Sequence, residues 1–263
     1  MDTLFAIGAG AYGATTVTYL ASLWTERPSV GRLAVWLLRA TLVFWSALLV
    51  WWAVDTGLSG GTRLGLGLSA WSLCALYLLL LRRYPIAALG SFVTALSTVL
   101  AVLAVLGLFV ARPHPVLTGA LADWLLWIHI SLAFVGIVAF AFATAVSLVY
   151  LLQARMLKTK SRSELRRRLP PLDVLDRLSL RSIIVGFPFY TVALLLGSVQ
   201  AVRAGEGTLR LSYVLAVVSW VIYGVVLQAR LAAGWRGPRA AILTTVGLAV
   251  AMAVVARYSL GLG

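Results

Sequence analysis

Apolar residues in this chain fall into eight runs, each close to the length that carries a helix across a bilayer, about 20 residues at a rise of 1.5 Å each. They cover residues 3–24, 33–55, 64–81, 86–111, 122–153, 183–203, 211–230 and 240–258. The expected fold is therefore all-α: a polytopic membrane helix bundle of about eight transmembrane helices, with residues 1–263 forming a single transmembrane domain. The fifth run exceeds what a bilayer needs, so it is expected to tilt or to project past the headgroups near Leu151 and Gln153. No close internal repeat and no low-complexity segment is visible in the sequence. The N-terminus lacks a basic leader and a small-residue cleavage site, so the first run reads as a retained helix.

Between the runs, charge is distributed unevenly. The odd-numbered connections carry 16 of the 22 Lys and Arg residues, from Arg27 and Arg32 through Arg82 and Arg83 to Arg230, Arg236 and Arg239. The opposite side carries Arg63, Arg112, Arg203, Arg210 and Arg257, while Arg39 lies inside the second run, about two turns from the cytoplasmic edge and within snorkelling reach of it. By the positive-inside rule the odd connections are cytoplasmic, and an even helix count puts both termini outside, N-out and C-out. The fifth connection, 154–182, is the long one. It is strongly basic, breaks at Pro170-Pro171, and resumes as Leu172, Leu175 and Leu178 among Asp173, Asp176 and Arg177, the pattern of a short amphipathic helix on the membrane. Two readings of this loop stay open: a linker held to anionic lipid, or a docking surface for a cytoplasmic partner.

Composition sharpens the picture mostly by exclusion. The chain is 62% hydrophobic with a mean hydropathy of +0.98, which no water-soluble surface tolerates. Its net charge of +14 could suggest nucleic acid, but the basic residues sit between membrane runs rather than on one solvated face, so no nucleic-acid partner is expected and anionic lipid is. Cys74 lies inside an apolar run and reads as a small core residue. Ionisable residues inside the runs are nearly absent, which argues against a proton pump or ion-coupled carrier. No phosphate loop, Ser/His/Asp set or metal-ligand spacing occurs, and no catalytic residue is assigned.

What remains is a pair of histidines on the outer side. His129 sits about two turns into the fifth run, below Trp124 and Trp127, and His114 lies between Pro113 and Pro115. An imidazole among aromatics at an interface needs a hydrogen-bond partner, a proton or a metal, and a haem iron is one metal that would serve. The tryptophans at run ends, among them Trp24, Trp51, Trp52, Trp124, Trp127 and Trp235, fit an interfacial aromatic belt.

Several stretches resemble the cytochrome c assembly superfamily: His129-Ile-Ser-Leu-Ala-Phe-Val-Gly-Ile-Val-Ala-Phe140, Tyr150-Leu-Leu-Gln-Ala-Arg-Met-Leu-Lys158, Leu169-Pro-Pro-Leu-Asp-Val-Leu-Asp-Arg177, Gly186-Phe-Pro188, Trp220-Val-Ile-Tyr223 and Gly234-Trp-Arg-Gly-Pro-Arg-Ala-Ala241. Arg82-Arg83-Tyr84 extends the similarity into the first half. Within the superfamily the chain is most similar to the HemX-like branch related to CcsA. The resemblance implies haem (heme b) handled at the outer membrane face, with His129 at the position of an external haem ligand. Against the lyase pattern, loop six, Val202–Arg210, lacks the tryptophan-rich segment; Gln228 stands where a helix-seven histidine is expected. Arg257-Tyr258-Ser259 stands where a second external histidine is expected, and helix two has no histidine, with Trp45 in its neighbourhood.

The resemblance thus implies a non-enzymatic haem-binding or haem-transferring protein, concerned with cytochrome c biogenesis or with regulation of haem biosynthesis, in a bacterial inner membrane. His114 is the other histidine available to the iron. Arg112 and Arg257 lie on the side where propionates would be, and Trp124 and Trp127 would line the site. Cytochrome c maturation or haem biosynthesis proteins are the expected partners. The alternative is a membrane adaptor that regulates glutamyl-tRNA reductase through its basic loop without binding haem. A third class, a small-molecule or lipid transporter, is left open because eight helices can enclose a cavity without ionisable lining.

Overall fold

In a computed structural model the chain is described over residues 2–25, 27–56, 61–81, 87–106, 120–159, 169–203 and 211–259. Among these residues all regular secondary structure is helical: α1 (Asp2–Thr25), α2 (Pro28–Thr56), α3 (Gly61–Leu81), α4 (Ala87–Leu106), α5 (Ala120–Lys158), α6 (Leu172–Arg203), α7 (Leu211–Leu231) and α8 (Pro238–Ser259). Seven are long and apolar enough to cross a membrane, and α3 is apolar over Gly65–Leu81. A helix satisfies its own backbone polar groups, which is why hydrocarbon selects it. The polytopic helical membrane bundle expected from the apolar runs is the observed fold.

Neighbour relations divide the bundle into two rings of four. In the first, α1 packs on α2, α2 on α3, α3 on α4 and α4 back on α1; in the second, α5, α6, α7 and α8 repeat that cycle. The rings meet where α3 and α4 lie against α5 and, more lightly, α8. The repeat is one of packing order, with no counterpart in the letters.

Several helices extend beyond the apolar runs, because hydropathy marks only the part of a helix that matches the hydrocarbon. α2 starts at Pro28, a residue suited to a first turn, which places Arg32 inside the helix. α5 runs for 39 residues, roughly 58 Å at 1.5 Å each, so it outreaches a bilayer core of about 30 Å. The Leu172–Leu178 stretch forms the opening turns of α6, with Leu175 and Ser179 buried and Ser179 hydrogen-bonded to Ser147 of α5 at 3.0 Å. Between α7 and α8 the chain reverses at Gly234 (φ 62°), a left-handed position that favours glycine, and the Trp235 amide donates to the Ala229 carbonyl.

Small polar side chains pair inside the first ring: Thr15 with Thr41 at 3.2 Å, Thr16 with Thr98 at 3.1 Å, and the Cys74 thiol with Ser97 at 3.1 Å. Such pairs join helices where no hydrophobic effect acts between them. Trp45, next to the helix-two position where the lyase pattern expects a histidine, is fully buried; its Nε1 donates to the Gly8 carbonyl at 3.1 Å. Trp45→Phe is expected to lower stability by about 1 kcal/mol through that lost bond, measured as thermal unfolding in micelles. The adjacent pair Trp51 and Trp52 splits: Trp51 is exposed and suits a belt, whereas Trp52 is buried edge-on against Phe5 at 4.7 Å.

Candidate functional site

The site grows out of the tightest contact in the second ring, between α5 and α6. Glycines bring these helices together: a Cβ at Gly136 would stand 3.0 Å from the Tyr190 Cβ, and one at Gly186 would stand 2.8 Å from the Ala139 Cβ. Gly197 continues the same interface on α6. Its missing side chain makes room for the His129 ring, since a Cβ there would lie 3.0 Å from His129 Cε1 and 3.4 Å from Nδ1. His129 therefore stands in a slot made by a glycine one helix away.

A single hydrogen bond orients the imidazole. Nδ1 lies 2.8 Å from the Ala193 carbonyl oxygen, one turn before Gly197 on α6. A carbonyl can only accept, so Nδ1 carries the proton and donates it. Nε2 then holds the lone pair, and among the described residues it has no hydrogen-bond partner. A backbone carbonyl on one ring nitrogen with the other left as a base is the arrangement that metal-binding histidines use. His129 is half-buried, nine residues from the start of α5, or about 13 Å along its axis.

The remaining sequence candidates are placed unequally. His114 and Arg112 lie outside the described residues. Trp124 and Trp127 occupy the first turns of α5, five and two residues ahead of His129, and their side chains lie outside the described residues. Arg257 lies in the last turn of α8, at the same end of the bundle as the start of α5, and its Nε donates to Ser212 Oγ at 3.3 Å. That bond ties Arg257 to the first turn of α7. Gln228, at the helix-seven position where a histidine is expected, is exposed. Ala193, Gly197 and Ser212 were not among the candidates. A backbone carbonyl leaves no mark in the letters, but a glycine inside Leu194-Leu-Leu-Gly197 is a visible sign of close helix approach.

Residues 64–256 match the cytochrome C assembly protein family, a stretch that holds His129, Ala193 and Gly197. The chain belongs to that family. The cytochrome c biogenesis protein CcsA of Chlamydomonas reinhardtii is 26% identical over 193 residues, covering 69% of this chain and 52% of the relative. CcsA of Synechococcus elongatus is 38% identical over 85 residues, covering 30% of this chain and 25% of the relative. CcsA of Heterosigma akashiwo is 36% identical over 115 residues, covering 41% and 33%. The chain thus spans between a quarter and about half the length of these relatives. No solved structure matches it.

The histidine fits what a haem would ask of one axial ligand: a fixed tautomer, an Nε2 without a partner among the described residues, and an apolar neighbourhood.

Proposed function

We infer that this chain is a non-enzymatic haem-handling membrane protein that binds or passes haem near the outer face, with His129 as an axial ligand, in cytochrome c biogenesis or in the HemX-like control of haem biosynthesis. The observation that carries this reading is the Nδ1 hydrogen bond to Ala193, which leaves Nε2 as a base on a ring locked in place by Gly197. Haem would supply an iron to accept that lone pair. Membership of the cytochrome c assembly family and the CcsA relatives support haem as the cargo. On this reading Arg257 neutralises a propionate from the end of α8, and His114 is the histidine to test as the second ligand. A bacterial inner membrane and cytochrome c maturation or haem biosynthesis partners go with it.

The test is haem titration of the purified protein followed by absorbance. Wild type is expected to give a histidine-ligated Soret band that His129→Ala loses. Identical bands in the two proteins, or no binding by either, would overturn the assignment.

A second reading has its own observation: α5 projects past the bilayer, with Arg155 and Lys158 exposed at its tip beside the basic connection. There the protein is an adaptor that recruits a cytoplasmic enzyme such as glutamyl-tRNA reductase. Reversing the charge of Arg166, Arg167 and Arg168 should then abolish co-purification of that enzyme while haem content stays constant.

A further inference from the structure

Arg39 sits where an arginine is costly. It is eleven residues into α2, about 16 Å along the axis from Pro28, within a helix apolar enough to span the membrane. Its side chain is exposed, and no ion pair to it occurs among the described residues. Glu26, in the α1–α2 connection, lies outside the described residues, and Arg39 is three turns further into the helix. Asp55 is at the opposite end of α2. A guanidinium that snorkels back from this depth meets the headgroup phosphates first, and an anion on that path is held strongly.

The direction in which Arg39 points says where that anion would be. Its guanidinium carbon stands 5.1 Å from the centre of the Trp36 ring, one turn back toward the start of α2. Helical side chains lean toward the N-terminus in any case, and the cation–π contact holds this one there. Arg32 lies seven residues before Arg39, about 10 Å back along the same face of the helix, and with Trp36 the two line one cavity whose described lining holds no carboxylate. Two cations lining one cavity with no described counter-charge favour an anion there.

The surface around them is grooved. A cavity of about 460 Å³ is lined by Tyr19, Arg32, Val35, Trp36, Arg39 and Tyr77. A second, of about 630 Å³, runs between α2 and α3 past Leu42, Trp71, Ala75 and Leu78, and shares Arg39 and Leu81 with the first. The Trp71 indole closes its far end by donating to Ser46 Oγ at 2.9 Å. α2 and α3 touch least of the neighbouring pairs in the first ring, which leaves this cleft open. Its polar entrance lies at the end that the distribution of basic residues assigns to the cytoplasm, and its apolar part leads toward the bilayer centre.

We propose that this cleft is a binding site for an anionic phospholipid of the inner leaflet, its phosphate held between Arg32 and Arg39 and one acyl chain laid along Leu42, Ala75 and Leu78 under Trp71. Charge complementarity and the order of the lining, cationic at the membrane surface and apolar beyond, select an amphiphile in the orientation a lipid already has. The groove's α2 wall lies outside the stretch shared with the cytochrome c assembly family, so this is a property of the chain's own first half.

The full chain, reconstituted in nanodiscs of mixed phosphatidylcholine and phosphatidylglycerol and released into detergent, is to be assayed by native mass spectrometry for retained phosphatidylglycerol. Wild type should retain it over phosphatidylcholine, and Arg39→Leu should lower retention about tenfold, the effect of losing one charge-assisted bond. Arg39→Lys should fall between them, and Arg236→Gln, which removes an exposed charge from the α7–α8 connection, should match wild type. Equal retention by Arg39→Leu and wild type would overturn the proposal, as would an equal loss in Arg236→Gln, which would indicate general surface charge. Displacement of the lipid by inorganic phosphate alone would show that the site takes a free anion rather than a lipid. Displacement by added haem, with an absorbance band insensitive to His129→Ala, would assign the cleft to haem instead. Thermal unfolding of each variant identifies any that fail to fold, and Trp36→Leu, which frees the Arg39 guanidinium without removing it, then carries the test with a smaller expected loss.

Discussion

Asp176→Ala is expected to destabilise the folded chain by about 3–5 kcal/mol, the usual cost of leaving one member of a buried ion pair without its partner. Asp176 lies near the start of α6 and Arg230 in the last turn of α7, and the pair joins those helices at their common end. Arg230 donates through one terminal nitrogen to Asp176 Oδ1 at 2.7 Å and through the other to the Asp176 backbone carbonyl at 3.3 Å. The Arg230 side chain is 2% exposed and that of Asp176 13%, so removal of the carboxylate leaves a guanidinium that water barely reaches. Its Nε is already buried without a partner, so only the longer bond to the Asp176 backbone carbonyl would remain. Arg230→Met should cost less, because the abandoned carboxylate is the more hydrated of the two. The double variant Asp176→Leu with Arg230→Met should recover most of the loss, since an apolar pair carries no desolvation penalty. The neighbouring pair Arg177 and Asp173, exposed and one turn apart, supplies the contrast: its removal should cost less than about 1 kcal/mol. Thermal unfolding in a single detergent ranks the four variants. Equal losses for the buried and the exposed pair would sink the assignment.

That ion pair also shows where reading the letters stops. Apolar run length located all eight helices, because hydrocarbon imposes one length on every crossing and the chain has few ways to meet it. The helix break at Pro170-Pro171 was equally plain, proline being unable to continue the hydrogen-bond ladder. What followed was harder to read. Leu172, Leu175 and Leu178 at three-residue spacing fit a helix on the membrane surface and the first turns of a membrane helix equally well, since periodicity gives a face and not what covers it. Only packing shows that Leu175 and Ser179 face α5 and that Asp176 meets Arg230.

At the candidate site the balance was similar. His129 stood out as an ionisable residue in an apolar run. Its acceptor, the Ala193 carbonyl, is 64 positions away and is a backbone atom common to every residue, so no pattern could have announced it. The two rings of four helices went unseen for a related reason: a cycle of neighbours is a relation among surfaces, and unrelated apolar sequences can satisfy it equally well.

Gly197 offers the sharpest test of whether His129 acts as a ligand or only as a packing group. Gly197→Ala puts a Cβ 3.0 Å from the ring, so His129 must give by a few tenths of an ångström, and haem affinity should fall slightly. Gly197→Val needs more room than the slot has. It should push the imidazole off the Ala193 carbonyl, release the proton from Nδ1 to either nitrogen, and lower haem affinity about 10–100-fold, as loss of an orienting partner does at other metal-binding histidines. Circular dichroism and thermal unfolding separate this from failure to fold, because a packing role predicts loss of stability with the Soret position unchanged in whatever haem still binds. The combination with His129→Ala decides the matter. If Gly197 acts through the imidazole, Gly197→Val adds nothing to His129→Ala in haem binding, and the small side chain of alanine relieves the clash and returns some stability. Additive losses of affinity would mean that the glycine shapes a haem cavity without reference to His129, and the ligand would then have to be sought elsewhere at that end of the bundle.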